Sequence, residues 1–153
     1  MDIRPYKFEE AQKLYNIFFS SIRENAQLYY SDEQLKAWAP DEYDEEKWIQ
    51  RMAKIQPYVI EDKGEILGYA DLQENGYIDH FFIKGGQSGK GIGKKLMLFL
   101  LDQAESQDIK RLYADVSLAA QAFFKTFGFV VVKSKKVYIR GLEIDNALME
   151  KMI

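Results

Sequence analysis

The chain has 153 residues and a net charge of −3, which fits one domain able to bury a sizeable core and gives generic nucleic-acid binding no global electrostatic support. Ten Tyr, ten Phe and two Trp argue against intrinsic disorder. With no cysteine, disulfides, thiolate nucleophiles and most structural zinc sites are excluded, and the single histidine, His80, excludes a multi-histidine metal site.

At the start, Met1-Asp2-Ile3-Arg4-Pro5 lacks the basic-then-apolar pattern of a signal peptide, so a cytoplasmic protein is expected. Ala11, Leu14, Tyr15, Phe18 and Ile22 keep helical spacing and predict a first helix over about Phe8–Glu24. Ser31-Asp32-Glu33-Gln34 forms a capping box for a short helix that runs through Trp38 and breaks at Pro40. A third helix follows Asp44, with Trp48, Ile49 and Met52 on one side. Tyr58–Glu61 is a predicted strand, Asp62-Lys63-Gly64 a turn, and Ile66–Leu72 a second strand. Asn75-Gly76 is a hairpin signal, and Tyr77–Ile83 is the third strand. An apolar helix spans about Gly91–Glu105; its purely apolar run, Leu96–Leu101, is too short to cross a bilayer. A strand at Arg111–Val116 and a helix at about Ser117–Phe127 follow, ended by Gly128 as a left-handed cap. Two last strands, Phe129–Ile139 and Leu142–Lys151, turn at Arg140-Gly141. No repeat or linker interrupts this order, so residues 1–153 are expected to form a single domain. The fold class is α/β (α+β): a mostly antiparallel mixed sheet with helices on its faces.

The segment from Phe81 to Leu96 carries the strongest chemical signal. A strand ends, Lys84-Gly85-Gly86-Gln87-Ser88-Gly89-Lys90 forms a loop, and a helix starts at Gly91-Ile92-Gly93. Glycines let the backbone approach a ligand, and the first N–H groups of a helix are unpaired at the positive end of its dipole. Together they suit a pyrophosphate, with Lys84, Lys90, Lys94 and Lys95 as nearby point charges. A plain Gly-rich surface loop is the alternative. A phosphate-binding P-loop is excluded, because Lys94 is followed by Lys95 rather than Ser or Thr. A dinucleotide fingerprint is excluded by the long loop and the early third glycine.

On these residues the chain resembles the GCN5-related N-acetyltransferase (GNAT) family. Gly91-Ile92-Gly93 matches the glycine part of its Gln/Arg-x-x-Gly-x-Gly/Ala signature. Ala120-Gln121-Ala122-Phe123-Phe124-Lys125-Thr126-Phe127-Gly128-Phe129 is similar to its Ala-x-x-Phe-Tyr-x-x-x-Gly-Phe element. The segments Tyr30–Trp38 and Ile78–Ile83 are similar to a bacterial branch, the YafP-like acetyltransferases. Two positions depart from the pattern. Ser88 stands where the signature has Gln or Arg, with Gln87 one place early, and Phe124 stands where many members carry a tyrosine that protonates the leaving thiolate.

The resemblance implies an N-acetyltransferase with acetyl-CoA as co-substrate. A primary amine on a small-molecule or peptide acceptor would attack the thioester in a ternary complex, and homodimers are common among such proteins. It implies cofactor contacts at Ser88, Gly89, Lys90, Gly91, Ile92, Gly93 and Lys94, backbone donors to the thioester near Phe82 and Ile83, a pantetheine contact at Ser117, and Phe124 lining the channel with Phe123 in the core. Ser117 serves equally as a helix N-cap. It implies that Tyr29, Tyr30 and Trp38 shape the acceptor pocket, where aromatic walls suit a cationic or ring-bearing amine. Asp79 and His80 interrupt an otherwise apolar strand and are the candidates for the general base, Asp79 favoured, with strand alternation aiming only one of them at the cleft. A salt-bridged Asp79 and a satisfied core His80 are the structural alternatives. Asp71 and Asp115 are similar interruptions that could bind a cationic acceptor. Two other functions stay open at this point: a non-catalytic acyl-CoA-binding or regulatory module, which Ser88 and Phe124 favour, and an interaction module that has lost the cofactor.

Overall fold

A computed structural model describes residues 1–153. Strand β1 (Asp2–Pro5) leads through a 3-10 turn (Phe8–Glu10) into α1 (Ala11–Ser20), which runs directly into a π-turn (Ser21–Asn25). Then come α2 (Asp32–Trp38), α3 (Glu45–Ile55), β2 (Tyr58–Asp62), β3 (Glu65–Ala70), β4 (Phe81–Ile83), α4 (Ile92–Ser106), β5 (Arg111–Ser117), α5 (Gln121–Thr126), β6 (Val130–Ile139) and β7 (Leu142–Met152). No helix is long and apolar enough to cross a membrane.

Local signals set most boundaries. Ser31 Oγ accepts from Gln34 N at 3.2 Å while Gln34 Oε1 accepts from Ser31 N at 2.8 Å, the reciprocal pair expected for α2. Asp44 caps α3 by accepting from Lys47 N. Two faces of α3 differ from the expected stripe: Met52 and Ile55 are buried, whereas Ile49 is exposed. The later helix is shorter than expected. Ser117 stays in β5 and makes no helix cap; α5 starts at Gln121, with Ala120 at its N-cap.

The strands form two antiparallel sheets, ordered β1-β2-β3-β4 and β5-β7-β6. Side chains alternate between two apolar clusters, so adjacent Val59 and Ile60 feed opposite faces, as do Tyr69 and Ala70. Helices α1 to α3 cover one face and α4 with α5 the other. The sheets touch through one parallel bridge, Tyr77 to Tyr113, where Ile78 N donates to Tyr113 O at 2.9 Å and Tyr113 N to Gly76 O at 3.1 Å. Past that bridge β4 and β5 separate.

The expected strand Tyr77–Ile83 is thus paired along β3 only at Phe81–Ile83. The cause is Asp71, fully buried at the end of β3. Its Oδ1 accepts from both Asp79 N (2.9 Å) and His80 N (2.7 Å), and Oδ2 accepts from Gln73 Nε2. Two consecutive amides drawn to one carboxylate cannot keep a regular ladder, and the strand kinks as at a β-bulge.

Burial pushes the Asp71 carboxyl up to about 6, above an unfolded value of about 3.9. The native state therefore holds this proton more tightly than the unfolded chain, and the ionised form costs stability once pH exceeds the unfolded value. Relative to the protein itself, the Asp71→Asn variant is expected to gain stability as pH rises from about 4 to about 6. Paired urea titrations across that range check it; a pH-independent difference would mean that Asp71 ionises normally.

Candidate active site

The Gly-rich turn presents backbone rather than side chains. Gly91 is the N-cap of α4 at φ 78°, a left-handed conformation that strains other residues. The first intrahelical bond is Lys95 N to Gly91 O, so the amides of Ile92, Gly93 and Lys94 have no partner within the helix. Upstream, Gly85 is wedged against the π-turn: its N donates to Ser20 Oγ at 3.0 Å, and a Cβ there would lie 1.6 Å from a Glu24 carboxylate oxygen. A cavity of about 360 Å³ opens beside the turn. Ser88, Gly89, Gly91, Ile92, Gly93 and Lys94 line it, as expected, whereas exposed Lys90 does not. Gln87 does line it, so the residue one place early in the motif reaches the same space. Both Phe123 and Phe124 line the cavity: Phe124 does so as expected while also being the more deeply buried, and Phe123 is not confined to the core.

The parity of β4 decides which amides face the gap. Tyr69 pairs with Phe82, Lys84 N donates to Leu67 O, and Asp71 N donates to His80 O. Residues 80, 82 and 84 therefore turn their backbone to β3, leaving Phe81 and Ile83 facing the separated β5. Asn25 of the π-turn donates from Nδ2 to Ile83 O at 3.3 Å, from the open side. Of the two expected backbone donors, Ile83 faces the gap and Phe82 does not; Phe81 takes its place, and Phe82 contributes its ring instead. A narrow cleft of about 60 Å³ fills the space between these strands.

A larger cavity, about 640 Å³, lies on the other side of the gap. It shares Trp38, Phe82 and Ser117 with the first. Trp38 is held there because α2 is fastened to the β6–β7 hairpin. Tyr30 Oη donates to Asp145 O at 2.6 Å, Gln34 Nε2 to Glu143 O at 2.8 Å and Arg140 Nη1 to Ala37 O at 2.6 Å. Tyr30 Oη also accepts from Leu118 N, so Tyr30 is a structural tie as well as part of the wall. Tyr29 is half exposed and lines neither cavity.

Asp79 and His80 both line this larger cavity, against the expectation that alternation would separate them. The kink made by Asp71 breaks the alternation; Asp71 itself is spent on that kink and lines neither of these two cavities. Asp79 Oδ2 accepts from Arg51 Nη2 at 2.6 Å. His80 Nδ1 lies 2.9 Å from the hydroxyl of fully buried Tyr69. That phenol has no other acceptor, so it donates to Nδ1 and leaves the ring proton on Nε2. Burial pushes His80 down to about 4, against the pull of the Asp79 charge. Asp115, also on the wall, accepts from Lys135 Nζ at 2.8 Å and Tyr77 Oη at 3.1 Å. Arg51 and Asn25 were missed from the sequence because nothing in their local pattern distinguishes them from surface polar residues.

Residues 27–149 match the family profile described as an acetyltransferase (GNAT) domain. The chain is 32% identical over 149 residues to the uncharacterized N-acetyltransferase YafP of Escherichia coli K12, covering 97% of this chain and 94% of that protein. It also superposes on a GCN5-related N-acetyltransferase crystal structure from Rhodopseudomonas palustris, described as an aminotransferase, class-II. The TM-score is 0.94 at 30% identity, over 99% of this chain and 95% of that one. The PaiA N-acetyltransferase of Thermoplasma acidophilum, solved with coenzyme A, shares the fold: TM-score 0.79, 18% identity, 99% of this chain and 98% of that one.

With His80 held near 4 by burial, its ring resonances are expected to keep their neutral-form shifts at pH 7 and to move only as the pH falls toward that value. An NMR titration with a midpoint at the ordinary 6.5 would mean that the ring is hydrated.

Proposed function

The chain belongs to the GNAT acetyltransferase family, and from that membership we propose how its two cavities divide the reaction of an acetyl-CoA-dependent N-acetyltransferase. Acetyl-CoA occupies the smaller cavity and a primary amine the larger. The amine nitrogen forms its bond to the acetyl carbon as the carbon–sulfur bond breaks, with both substrates bound. The observation that carries this reading is the junction: Trp38, Phe82 and Ser117 belong to both walls, so groups held in the two cavities meet without crossing solvent.

The residues present fit the cofactor. The free amides of Ile92, Gly93 and Lys94, the dipole of the 15-residue α4 and the Lys94 charge suit a diphosphate. Phe123 and Phe124 offer an apolar wall farther in, and Ser117 a hydroxyl at the junction. Acetyl-CoA supplies an acetyl group already activated as a thioester. The outward amides of Phe81 and Ile83 are the donors for a carbonyl oxygen on which negative charge grows.

The incoming amine must lose a proton. Asp79 is the acceptor for it: Arg51 holds one carboxylate oxygen and leaves Oδ1 open. His80, with its proton on Nε2, offers a donor to the cavity rather than a base. Phe124 has no proton to give the departing sulfur, but a thiol pKa of about 8.5 lets the thiolate leave near neutral pH without help.

Gly91→Glu would set a carboxylate at the mouth of the turn and strain the left-handed cap. Calorimetric titration with acetyl-CoA is expected to show affinity roughly a hundredfold weaker than in the unmodified protein, from like-charge repulsion. Undiminished affinity would remove the turn as the cofactor site. For Asp79→Asn, kcat is expected to fall by roughly 10²-fold with little change in the KM for acetyl-CoA; full turnover across pH would remove Asp79 as the base.

A further inference from the structure

One polar side chain on the acceptor wall is unused by the reaction described above. Asn146 lies on β7, paired across the ladder with Ser117, and lines the larger cavity. Its carboxamide Oδ1 is buried and receives no hydrogen bond. The other buried side-chain atom in that condition, Arg23 Nη2, at least has the Asp41 carboxylate 3.4 Å away. A buried acceptor left without a donor is destabilising. The two ends of a carboxamide have nearly the same shape, so a half-turn of the group presents either atom to the cavity.

The rest of the wall narrows what Asn146 would meet. Three cations, Lys47, Arg51 and Arg140, face three carboxylates, Asp44, Asp79 and Asp115. Asp79 is already paired with Arg51 and Asp115 with Lys135, while Asp44 caps α3. A polycation would find no row of uncompensated charge here and would lose hydration on entry. The remaining surface is dominated by eight Phe, Tyr and Trp residues. Tyr15 stacks on Tyr43 with ring centroids 3.5 Å apart and 9° between planes, and Trp48 stands edge-on to Tyr15 at 5.0 Å. Such walls favour a flat, ring-bearing body.

We propose, resting on the acetyl-transfer reading, that Asn146 is a specificity-determining contact for the acceptor, and that the acceptor is a monoamine carried on an aromatic ring system. An N–H of the amine donates to Asn146 Oδ1. Asp79 takes the proton that leaves, so the two residues serve different hydrogens.

The test measures amine-dependent thiol release from acetyl-CoA with 2-phenylethylamine, tryptamine and spermidine, together with calorimetric binding of each amine to the CoA-saturated protein. An aromatic monoamine is expected to bind and to be preferred over spermidine. Asn146→Ala is expected to raise its KM about tenfold, the loss of one hydrogen bond, with CoA affinity unchanged and Tm no lower than that of the unmodified protein. Asn146→Asp keeps the shape, adds a charge, and is expected to narrow the preference over spermidine; it also serves if the alanine variant fails to fold. An unchanged amine KM in Asn146→Ala, a wild-type preference for spermidine, or no binding of any aromatic amine to the CoA-saturated protein would overturn the proposal and leave the acetyl-transfer reading standing. Failure of CoA to bind would overturn both.

Discussion

Asp71 is a carboxylate sealed inside the protein, and its oxygens are met by the amides of Asp79 and His80 and by the Gln73 carboxamide. An unpaired ion at that depth would cost several kcal/mol, so the chain around it is obliged to bend toward it. The bend shortens β4 to three paired residues, and the single bridge at Tyr77 leaves the two sheets free to diverge. From it follow the gap between β4 and β5 and the arrival of Asp79 and His80 at one cavity. A regular strand would have closed the gap and sent those two side chains to opposite faces.

The two sides of that gap are built by different means. Beside the Gly-rich turn the wall is made of backbone amides at a helix end, backed by glycines where a Cβ would strain or collide. Such a surface recognises a diphosphate whatever else surrounds it. Around the larger cavity the wall is made of side chains, mostly rings, with every carboxylate tied to a cation or a helix end. The larger cavity is therefore shaped by groups that change freely by substitution, and the wall beside the Gly-rich turn by chain geometry that does not.

Much of the fold was legible because it rests on local rules. The Ser31 capping box, the Lys63-Gly64 and Arg140-Gly141 turns, the apolar stripe of α4 and the glycines before it each act within a few residues of themselves. The shape of the Gly-rich turn was legible for the same reason, apart from Gln87 and Lys90, whose side-chain directions depend on the loop's path. What failed was whatever depends on contacts distant in sequence. The kink at Asp79 and His80 is imposed by a carboxylate eight and nine residues earlier, so strand alternation gave those two side chains the wrong faces. Arg51 meets Asp79 across 28 residues, and no local pattern marks it. Ser117 seemed a helix cap because Ser commonly is one, but the turn at 117–120 keeps it in the strand.

The fastening of α2 to the β6–β7 hairpin spans 115, 109 and 103 residues at Tyr30, Gln34 and Ala37. Ribosomal synthesis runs from the N-terminus, so α2 exists for most of translation without the strand that anchors it. The Gly-rich turn and its two flanking elements emerge well before residues 140–145. A nascent chain can thus assemble the phosphate-facing part first, while Trp38 and the aromatic wall wait for the last hairpin. Contacts of such separation are also the slow ones in folding. The larger cavity therefore has its full wall only once the last hairpin of the chain is in place.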